Sequence, residues 1–497
     1  MNYLASLKQP ILDLTADSRK VATGSLFLAY PGGSQDGRAY IEQAINAGAT
    51  AIFWEKNCSE PPPFKWLDTW KVENLGIENL KQKTGEIAAA FYLHPSKKCT
   101  MVGVTGTNGK TSVSQWVAQC LTWLGQKSAV VGTIGNGFVD AQQNAVNTTP
   151  DAILLQKMLA NFVHEGAQAV AMEVSSHGLD QGRLNGTHFD IAVLTNLSRD
   201  HLDYHQTMEA YAAAKQKLFD WPNLKLAVMN RDDDFGRTLI KDAQKNNRPF
   251  LSYGIAPSTF VEATHEICAS DLKLFENSIA MHVHTPKGDG ELQANVIGEF
   301  NAYNLLAVLG VLLGMQFKLQ EALAAIAHIH PVVGRMQQCG GGKQPLVVVD
   351  YAHTPDALEK VLDTLRKQLP KENNTAELVC VFGCGGERDA GKRPLMGKVV
   401  AEHADVMVVT SDNPRSEDPQ KIIQQIVEGL SRPVVVEVDR ERAILQAIRH
   451  ADAGDIVLIA GKGHEQYQET LGVRNPFSDA SIAKLALEKF HPLEAAA

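Results

Sequence analysis

Paired cysteines, long apolar runs and surplus positive charge are all missing from this chain of 497 residues. The seven cysteines, Cys58, Cys99, Cys120, Cys268, Cys339, Cys380 and Cys384, are odd in number, scattered and without CxxC spacing. That pattern suggests neither a disulfide framework nor a cysteine-based zinc site. Cys380 and Cys384 fall in a strand and the loop after it, where buried free thiols are expected. The longest apolar stretch, residues 305–313, is too short to cross a bilayer and reads as a buried helix. A net charge of −9 argues against general binding to nucleic acid or to an anionic membrane. Any polyanionic ligand must then be held by local clusters. The first residues lack the basic, apolar, small-residue progression of a signal peptide, so a cytoplasmic location is expected. No internal repeat or low-complexity segment is evident. What is present is an ordinary globular composition, 44% hydrophobic and 21% charged, on a chain long enough for about two to four domains.

Residues 21–30 and 51–54 are strand-like and 39–47 alternate as a helix would, which predicts a small α/β unit with a surface loop at Pro61, Pro62 and Pro63. The composition turns polar over residues 92–98, around His94-Pro95, and a first boundary is expected there. Strands at 101–104, 128–132, 168–174, 189–195 and 224–229 then alternate with helices at 112–124, 151–164 and 208–219, the pattern of a mainly parallel sheet covered by helices. Residues 273–296 alternate about Lys287-Gly288-Asp289-Gly290 and predict a hairpin. A second boundary is expected near residues 331–345, where Gly340, Gly341 and Gly342 interrupt the pattern. The remainder repeats the α/β theme, with strands at 346–349, 378–382, 406–410, 433–437 and 455–459. The fold class is therefore α/β, with domains expected at 1–97, 98–331 and 332–497.

Polar clusters follow the strands, and in open α/β sheets ligands bind beyond the carboxyl ends of strands. The first cluster is GTNGKT at residues 106–111. Glycines there let backbone N–H groups curl around phosphate, Lys110 supplies a charge for the β- and γ-phosphates, and the Thr111 hydroxyl can reach magnesium. Val104 stands where the strict pattern has glycine, so the loop points to a nucleotide without fixing the chemistry. Other strand ends carry Glu173-Val174-Ser175-Ser176-His177, then residues 196–201, NLSRDH, then residues 350–355, DYAHTP, and also GCGGERD, SDNPR and AGKGHE. Seven such clusters in register suggest two sheets whose loop ends face one another over a shared cleft. Glu173 and His201 are candidates to hold magnesium with Thr111. Arg388, Lys392, Arg393 and Arg415 form a second cationic group, and Asp412-Asn413-Pro414-Arg415 offers an acid and a base to one ligand, as an amino acid requires.

Together with NTTP at 147–150, MEVSSHGL at 172–179, TNLSRDHLDYH at 195–205, YAAAKQKLF at 211–219, GEFNAYN at 298–304 and VVDYAHTPDAL at 348–358, these motifs resemble the Mur ligase family. The resemblance is dense over residues 100–478 and thinner before them. It implies three domains: a small N-terminal α/β domain for the uridine end, a central phosphate-loop ATPase, and a Rossmann-like C-terminal domain bringing an amino acid. It also implies an activity, since DNPR resembles the signature of members that choose diaminopimelate over lysine. ATP would activate the D-glutamate side-chain carboxylate of a UDP-N-acetylmuramoyl dipeptide as an acyl phosphate, and meso-diaminopimelate would displace phosphate, in peptidoglycan precursor synthesis. ATP is thus a co-substrate and two magnesium ions are implied; no nucleic acid or membrane partner is expected, and the chain should be a monomer.

By the same resemblance Gly106, Thr107, Asn108, Gly109, Lys110, Thr111, Ser112, Asn304, Arg335, Asp350 and His353 bind ATP. Thr111 and Glu173 look like one metal site, His201 and Lys215 like the other, with Lys215 carbamylated because an ammonium cannot ligate a cation. Lys110, Glu173, His201 and Lys215 are the catalytic set. Asn147, Thr148, Thr149, Ser175, Gln181 and Arg183 resemble contacts to the UDP-sugar peptide, as do Ser18 and residues 33–36. Arg388, Asp412, Asn413, Pro414, Arg415, Gly461 and Glu465 resemble the diaminopimelate site, Arg415 pairing the distal carboxylate that lysine lacks. The competing readings are a folylpolyglutamate synthase or neighbouring stem-peptide ligase, and a nucleotide-switch or transport ATPase.

Overall fold

The computed structural model describes residues 3–32, 35–56, 64–145, 147–256, 261–275, 277–370, 375–428, 430 and 432–490. Gly33 and Ser34 of the expected uridine loop, the prolines 61–63 and Cys58 lie outside the described residues. Two compact units make up the chain: Met1–Gly103, Gly125–Ala192 and Ala214–Lys225 form the first, and Val104–Leu124, Val193–Ala213 and Leu226–Ala497 the second. Strands Thr100–Thr105 and Ile191–Leu194 each begin in the first unit and end in the second.

In the first unit a parallel sheet runs in the order Asp13–Thr15, Ser25–Ala29, Ala51–Glu55, Glu73–Ile77. Its two middle strands are apolar from Leu26 to Ala29 and from Ala51 to Trp54 because both faces are covered. Leu26, Leu28 and Phe53 pack with Leu80, Ile87 and Ala88 of helix Leu80–Phe91 on one face. The intervening residues Phe27, Ala29 and Ile52 meet Ile41 and Ala44 of helix Ile41–Asn46 on the other. The same unit holds Ser128–Val131 parallel to Ala169–Glu173, and a short hairpin, Asn136–Phe138 with Ala141–Gln143, that pairs antiparallel to Ser128–Val131. Asp151 caps helix Ala152–His164 by accepting from the N–H groups of Ile153 and Leu154.

In the second unit Leu226–Asn230 and Phe250–Ile255 lie parallel, Glu266–Leu274 joins them, and Ile279–Thr285 and Gly288–Ala294 add the predicted hairpin. The apolar run 305–313 is part of helix Glu299–Gly314 and is buried. A six-stranded sheet follows in the order Gln337–Gly340, Leu346–Asp350, Ile456–Ala460, Leu378–Phe382, Val406–Val409, Val435–Val436. All pairings are parallel except the first. Alternate strand residues feed two cores, Val348, Cys380 and Leu458 with Leu358 and Val400 on one face, Val347, Val379 and Val457 with Ile444 and Ile482 on the other. Gly340, Gly341 and Gly342, read as an interruption, are instead the turn of the antiparallel pair Gln337–Gly340 and Leu346–Asp350, with φ of 81°, 89° and 71° that favour glycine.

Candidate active site

Sterics dictate the phosphate loop. Strand Thr100–Thr105 ends at Gly106, and helix Lys110–Trp123 begins two residues before the expected start, so Lys110 and Thr111 occupy its first turn. A Cβ on Gly106 would lie 1.8 Å from Thr195 Oγ1, and one on Gly109 2.4 Å from Asn304 Oδ1. Neither place admits a side chain. Thr195 Oγ1 and Asn196 Nδ2 donate to the Asn108 carbonyl at 2.6 and 3.1 Å, and Asn196 Oδ1 accepts from the Asn108 N–H at 3.0 Å. Thr107 Oγ1 donates to the Ser198 carbonyl at 3.0 Å. The Lys110 ammonium donates to the carbonyls of Gly106 and Thr107 at 2.9 and 2.8 Å, which holds the charge over the loop beside the positive end of its helix. Ser112 is buried behind it.

Two later residues, Arg335 just before strand Gln337–Gly340 and Asp356 on helix Pro355–Arg366, reach this loop within the same unit. Arg335 Nη2 donates to Thr111 Oγ1 at 3.0 Å, and its guanidinium carbon sits 4.3 Å from the centre of the Tyr351 ring. Asn108 Nδ2 donates to Asp356 Oδ2 at 3.0 Å. Asn304 Nδ2 donates to Asn301 Oδ1 at 2.8 Å. Asp350 is buried and accepts from the N–H groups of Met336 and Ala352 at 2.7 Å each. Burial pushes its carboxyl up, with Arg335 and those two N–H groups opposing.

The centre of this region is Asp200, 4% exposed. Its carboxylate lies 3.4 Å from His201 Nε2, 3.6 Å from His353 Nε2 and 3.5 Å from Lys392 Nζ. Burial alone would raise its pKa, but the His353 hydrogen bond and the charges of Lys392, His201 and His353 outweigh it and hold Asp200 well below the usual carboxylate range. His201 itself has φ 55° and starts the short helix Leu202–His205.

In the first unit Glu173 is buried at the end of its strand, Oε1 accepting from the Thr133 N–H at 2.7 Å and Oε2 from the Thr133 hydroxyl at 3.0 Å. Thr133 Oγ1 is 3.0 Å from Thr148 Oγ1. Thr149 Oγ1 donates to the Glu173 carbonyl at 3.0 Å and accepts from the Ser175 hydroxyl at 3.0 Å, while Ser175 Oγ caps helix Ser176–Asp180. Arg183 Nη1 donates to the Thr149 carbonyl at 2.9 Å, and its Nε and Nη2 hold Gln181 Oε1 at 2.9 and 2.6 Å. Thr148, Thr149, Glu173, Ser175, Gln181 and Arg183 thus form one network; Asn147 is exposed beside it in sequence. Lys215 lies on helix Met208–Phe219 and is 1% exposed. Ser18 Oγ donates to Gln43 Oε1 at 3.1 Å.

The DNPR loop follows strand Val406–Val409. Asn413 Nδ2 donates to Glu465 Oε2 at 2.8 Å, and Lys462 Nζ donates to Asn413 Oδ1 at 3.0 Å and Glu465 Oε2 at 2.6 Å. Asp412 is buried; burial works against its charge, yet Lys462 and Arg440 keep its pKa lowered. A Cβ on Gly461 would lie 2.5 Å from Asp412 Oδ2. Pro414 is buried, and Arg415 Nη1 donates to the Gly386 carbonyl at 2.6 Å. A Cβ on Gly385 would lie 3.0 Å from Arg415 Nη1 and 3.7 Å from Arg388 Cγ, so both arginines border that glycine. The four-cation group does not form as expected. Lys392 turns to Asp200, and Arg393, 2% exposed, is clasped by Glu417 at 2.9 and 3.0 Å.

Comparison with known proteins gives this arrangement a lineage. Residues 11–92 match the model described as Mur ligase family, catalytic domain, residues 104–312 the Mur ligase middle domain, and residues 334–463 the Mur ligase, glutamate ligase domain. A relative from Chromobacterium violaceum named UDP-N-acetylmuramoyl-L-alanyl-D-glutamate--2,6-diaminopimelate ligase is 48% identical over 485 residues, 97% of this chain and 96% of its own. The chain belongs to the Mur ligase family. A Pseudomonas aeruginosa relative of the same name is 48% identical over 480 residues, 96% of this chain and 95% of its own. A solved diaminopimelate ligase of that name superposes with a TM-score of 0.67 at 37% identity, covering 97% of this chain and 96% of that one. MurF from Acinetobacter baumannii reaches 0.67 at 15% identity, covering 97% and 94%, and Mycobacterium tuberculosis folylpolyglutamate synthase 0.64 at 17%, covering 83% and 96%. These two share the fold, and the three-domain Mur ligase architecture follows from the family.

Sequence reasoning passed over Thr133, Asp356 and Lys462 as site residues, and used Asp200 and Lys392 only as company for His201 and Arg388. Thr133 lies in none of the quoted motifs, and Asp356 lies inside VVDYAHTPDAL at 348–358 without having been singled out. For Lys462 a signal existed, a lysine inside AGKGHE at a strand end.

Proposed function

We propose that this Mur ligase adds meso-2,6-diaminopimelate to the D-glutamate side-chain carboxylate of UDP-N-acetylmuramoyl-L-alanyl-D-glutamate, at the expense of ATP. Domains at 1–97, 98–331 and 332–497 take the uridine end, the ATP and the amino acid, and the enzyme works as a cytoplasmic monomer. The DNPR loop is the observation that carries the choice of amino acid: two arginines, Arg388 and Arg415, border Gly385, while Asn413, Lys462 and Glu465 form a charged network beside them. A ligand with two carboxylates and two ammonium groups matches that mixture of signs. The relatives named for this reaction support the same reading.

The substrate carboxylate attacks the γ-phosphate and ADP leaves; the amine of diaminopimelate then attacks the acyl carbon and phosphate leaves. Lys110 holds charge against the approaching anions. Thr148, Thr149, Ser175, Gln181 and Arg183 orient the UDP dipeptide, Arg335, Asn304, Asp350 and His353 the nucleoside end of ATP. Magnesium, when bound, would neutralise the phosphate oxygens. Thr111, Glu173, His201 and Lys215, the last as its carbamate, are the candidate donors for the two ions. Lys215 is 1% exposed, and as a carbamate it would offer oxygen donors that an ammonium, with no lone pair, cannot. The test is phosphate release by the purified chain with UDP dipeptide, ATP and either diaminopimelate or lysine. Turnover should require both co-substrates and prefer diaminopimelate. ATP hydrolysis indifferent to the amino acid would point to a switch ATPase instead.

A further inference from the structure

The antiparallel strands Glu266–Leu274, Ile279–Thr285 and Gly288–Ala294 bury one face through Ile279, Met281, Val283, Leu292 and Ala294. Their other face gathers metal-binding side chains. Register sets Cys268 opposite His284 and His284 opposite Asp289 in one row, Ser270 opposite His282 and His282 opposite Glu291 in the next. Opposed residues share a face and so do residues two apart, so both imidazoles and both carboxylates leave the sheet on one side within two rungs. The two rings are 4.7 Å apart. One donor atom from each of His282, His284 and Asp289 lies within 4.8 Å of the others, the one such group of three among the described residues.

We propose that this face binds one divalent transition-metal ion of the zinc type through His282, His284 and Asp289, with Glu291 orienting the first ring. His284 Nδ1 already faces Asp289 Oδ1 at 3.2 Å, close to the roughly 3.3 Å that separates two ligands of a tetrahedral ion whose bonds are about 2.0–2.1 Å. Its other nitrogen is 3.3 Å from Ser270 Oγ. His282 Nδ1 is 2.7 Å from Glu291 Oε1, which places the ring proton there and presents the Nε2 lone pair. That carboxylate–histidine pairing is the usual support of a ligating ring. Two neutral imidazoles and a carboxylate suit zinc, cobalt or nickel, whereas magnesium favours all-oxygen shells. The exposed rims of His284 and Asp289, 43% and 59% by side chain, leave room for the donors to close and for water to complete the shell.

Cobalt(II), whose visible absorption reports its ligands, is the probe, titrated into the full chain above the ordinary histidine range with saturating magnesium present, then displaced by zinc. Wild type should take up one cobalt with nitrogen and oxygen bands and no thiolate band, and zinc should remove it. Loss of an orienting group costs about 10–100-fold in affinity; Glu291→Gln should fall in that range, and His284→Ala and the isosteric Asp289→Asn should lose at least as much. All three should keep the wild-type circular dichroism and ligation rate. No cobalt uptake by wild type, or equal uptake by wild type, Asp289→Asn and His282→Ala/His284→Ala, would leave only two cross-strand ion pairs and overturn the proposal.

Discussion

Arg415 holds a backbone conformation rare for a residue with a Cβ, φ 52°, fixed by its N–H to the Glu469 carbonyl at 3.0 Å and its carbonyl to the Leu471 N–H at 2.7 Å. Main chain of the hairpin formed by Tyr467–Thr470 and Val473–Pro476 therefore aims this side chain, and substitutions should change what it binds more than where the loop lies. Arg415→Ala should lower catalytic efficiency for diaminopimelate by ~2–5 kcal/mol of lost charge pairing, or roughly 30-fold to several thousand-fold, while lysine suffers far less. Arg415→Lys, which keeps charge but not the planar fork, should fall between. Steady-state kinetics with both amino acids decides, and an equal loss for the two would make Arg415 structural. Asp200 poses a different question, because its depressed pKa links it to stability. A lowered folded pKa contributes stability that is present above the ordinary value, 3.8, and is lost as pH falls through the folded one. The stability gap between wild type and Asp200→Asn, read by urea denaturation, should be open at pH 7 and narrow below pH ~4; a constant gap would contradict the ion-pair account. Asp200 was legible only as a neighbour of His201, since its partners His353 and Lys392 lie in distant motifs and nothing in local spacing announces that they meet.

Among the elements, those buried on both sides were the easiest to read. Leu378–Phe382 and Ile456–Ala460 are unbroken apolar runs, Ser25–Ala29 is one after its first residue, and the glycines of the phosphate loop mark its turn by composition. Asp13–Thr15, Asn136–Phe138 and Ala141–Gln143, three residues each, went unread because pairing to neighbours defines them, not periodicity. One fully buried cross-element contact was equally silent. Arg440, at the start of helix Arg440–His450, meets Asp479, at the start of helix Asp479–Glu488, through two bonds of 2.8 Å with both side chains fully buried. Asp479→Ala should cost ~3–5 kcal/mol in denaturant unfolding, because it strands a buried guanidinium. Replacing both members by apolar residues of similar volume should cost far less, and equal losses would deny that the stranded charge is the cause.

For the whole molecule, the family resemblance conveyed the catalytic plan while the contacts that assemble the described sites, Asn108 with Asp356 and Arg335 with Thr111, joined positions more than two hundred residues apart. No period or motif spans such a distance. If Lys215 is carbamylated as proposed, its burial has a consequence for how the enzyme comes to life. Carbamylation needs dissolved carbon dioxide to reach a neutral amine, and a side chain 1% exposed meets the gas poorly once the chain has closed around it. Protein refolded in carbonate-free buffer should regain native circular dichroism first and ligase activity only after bicarbonate is added, whereas protein refolded with bicarbonate should recover both together. Simultaneous recovery in both buffers would show that the amine needs no modification. If the lag is found, the chain carries a record of the atmosphere in which it folded, and the supply of inorganic carbon at synthesis sets how much of it can build cell wall.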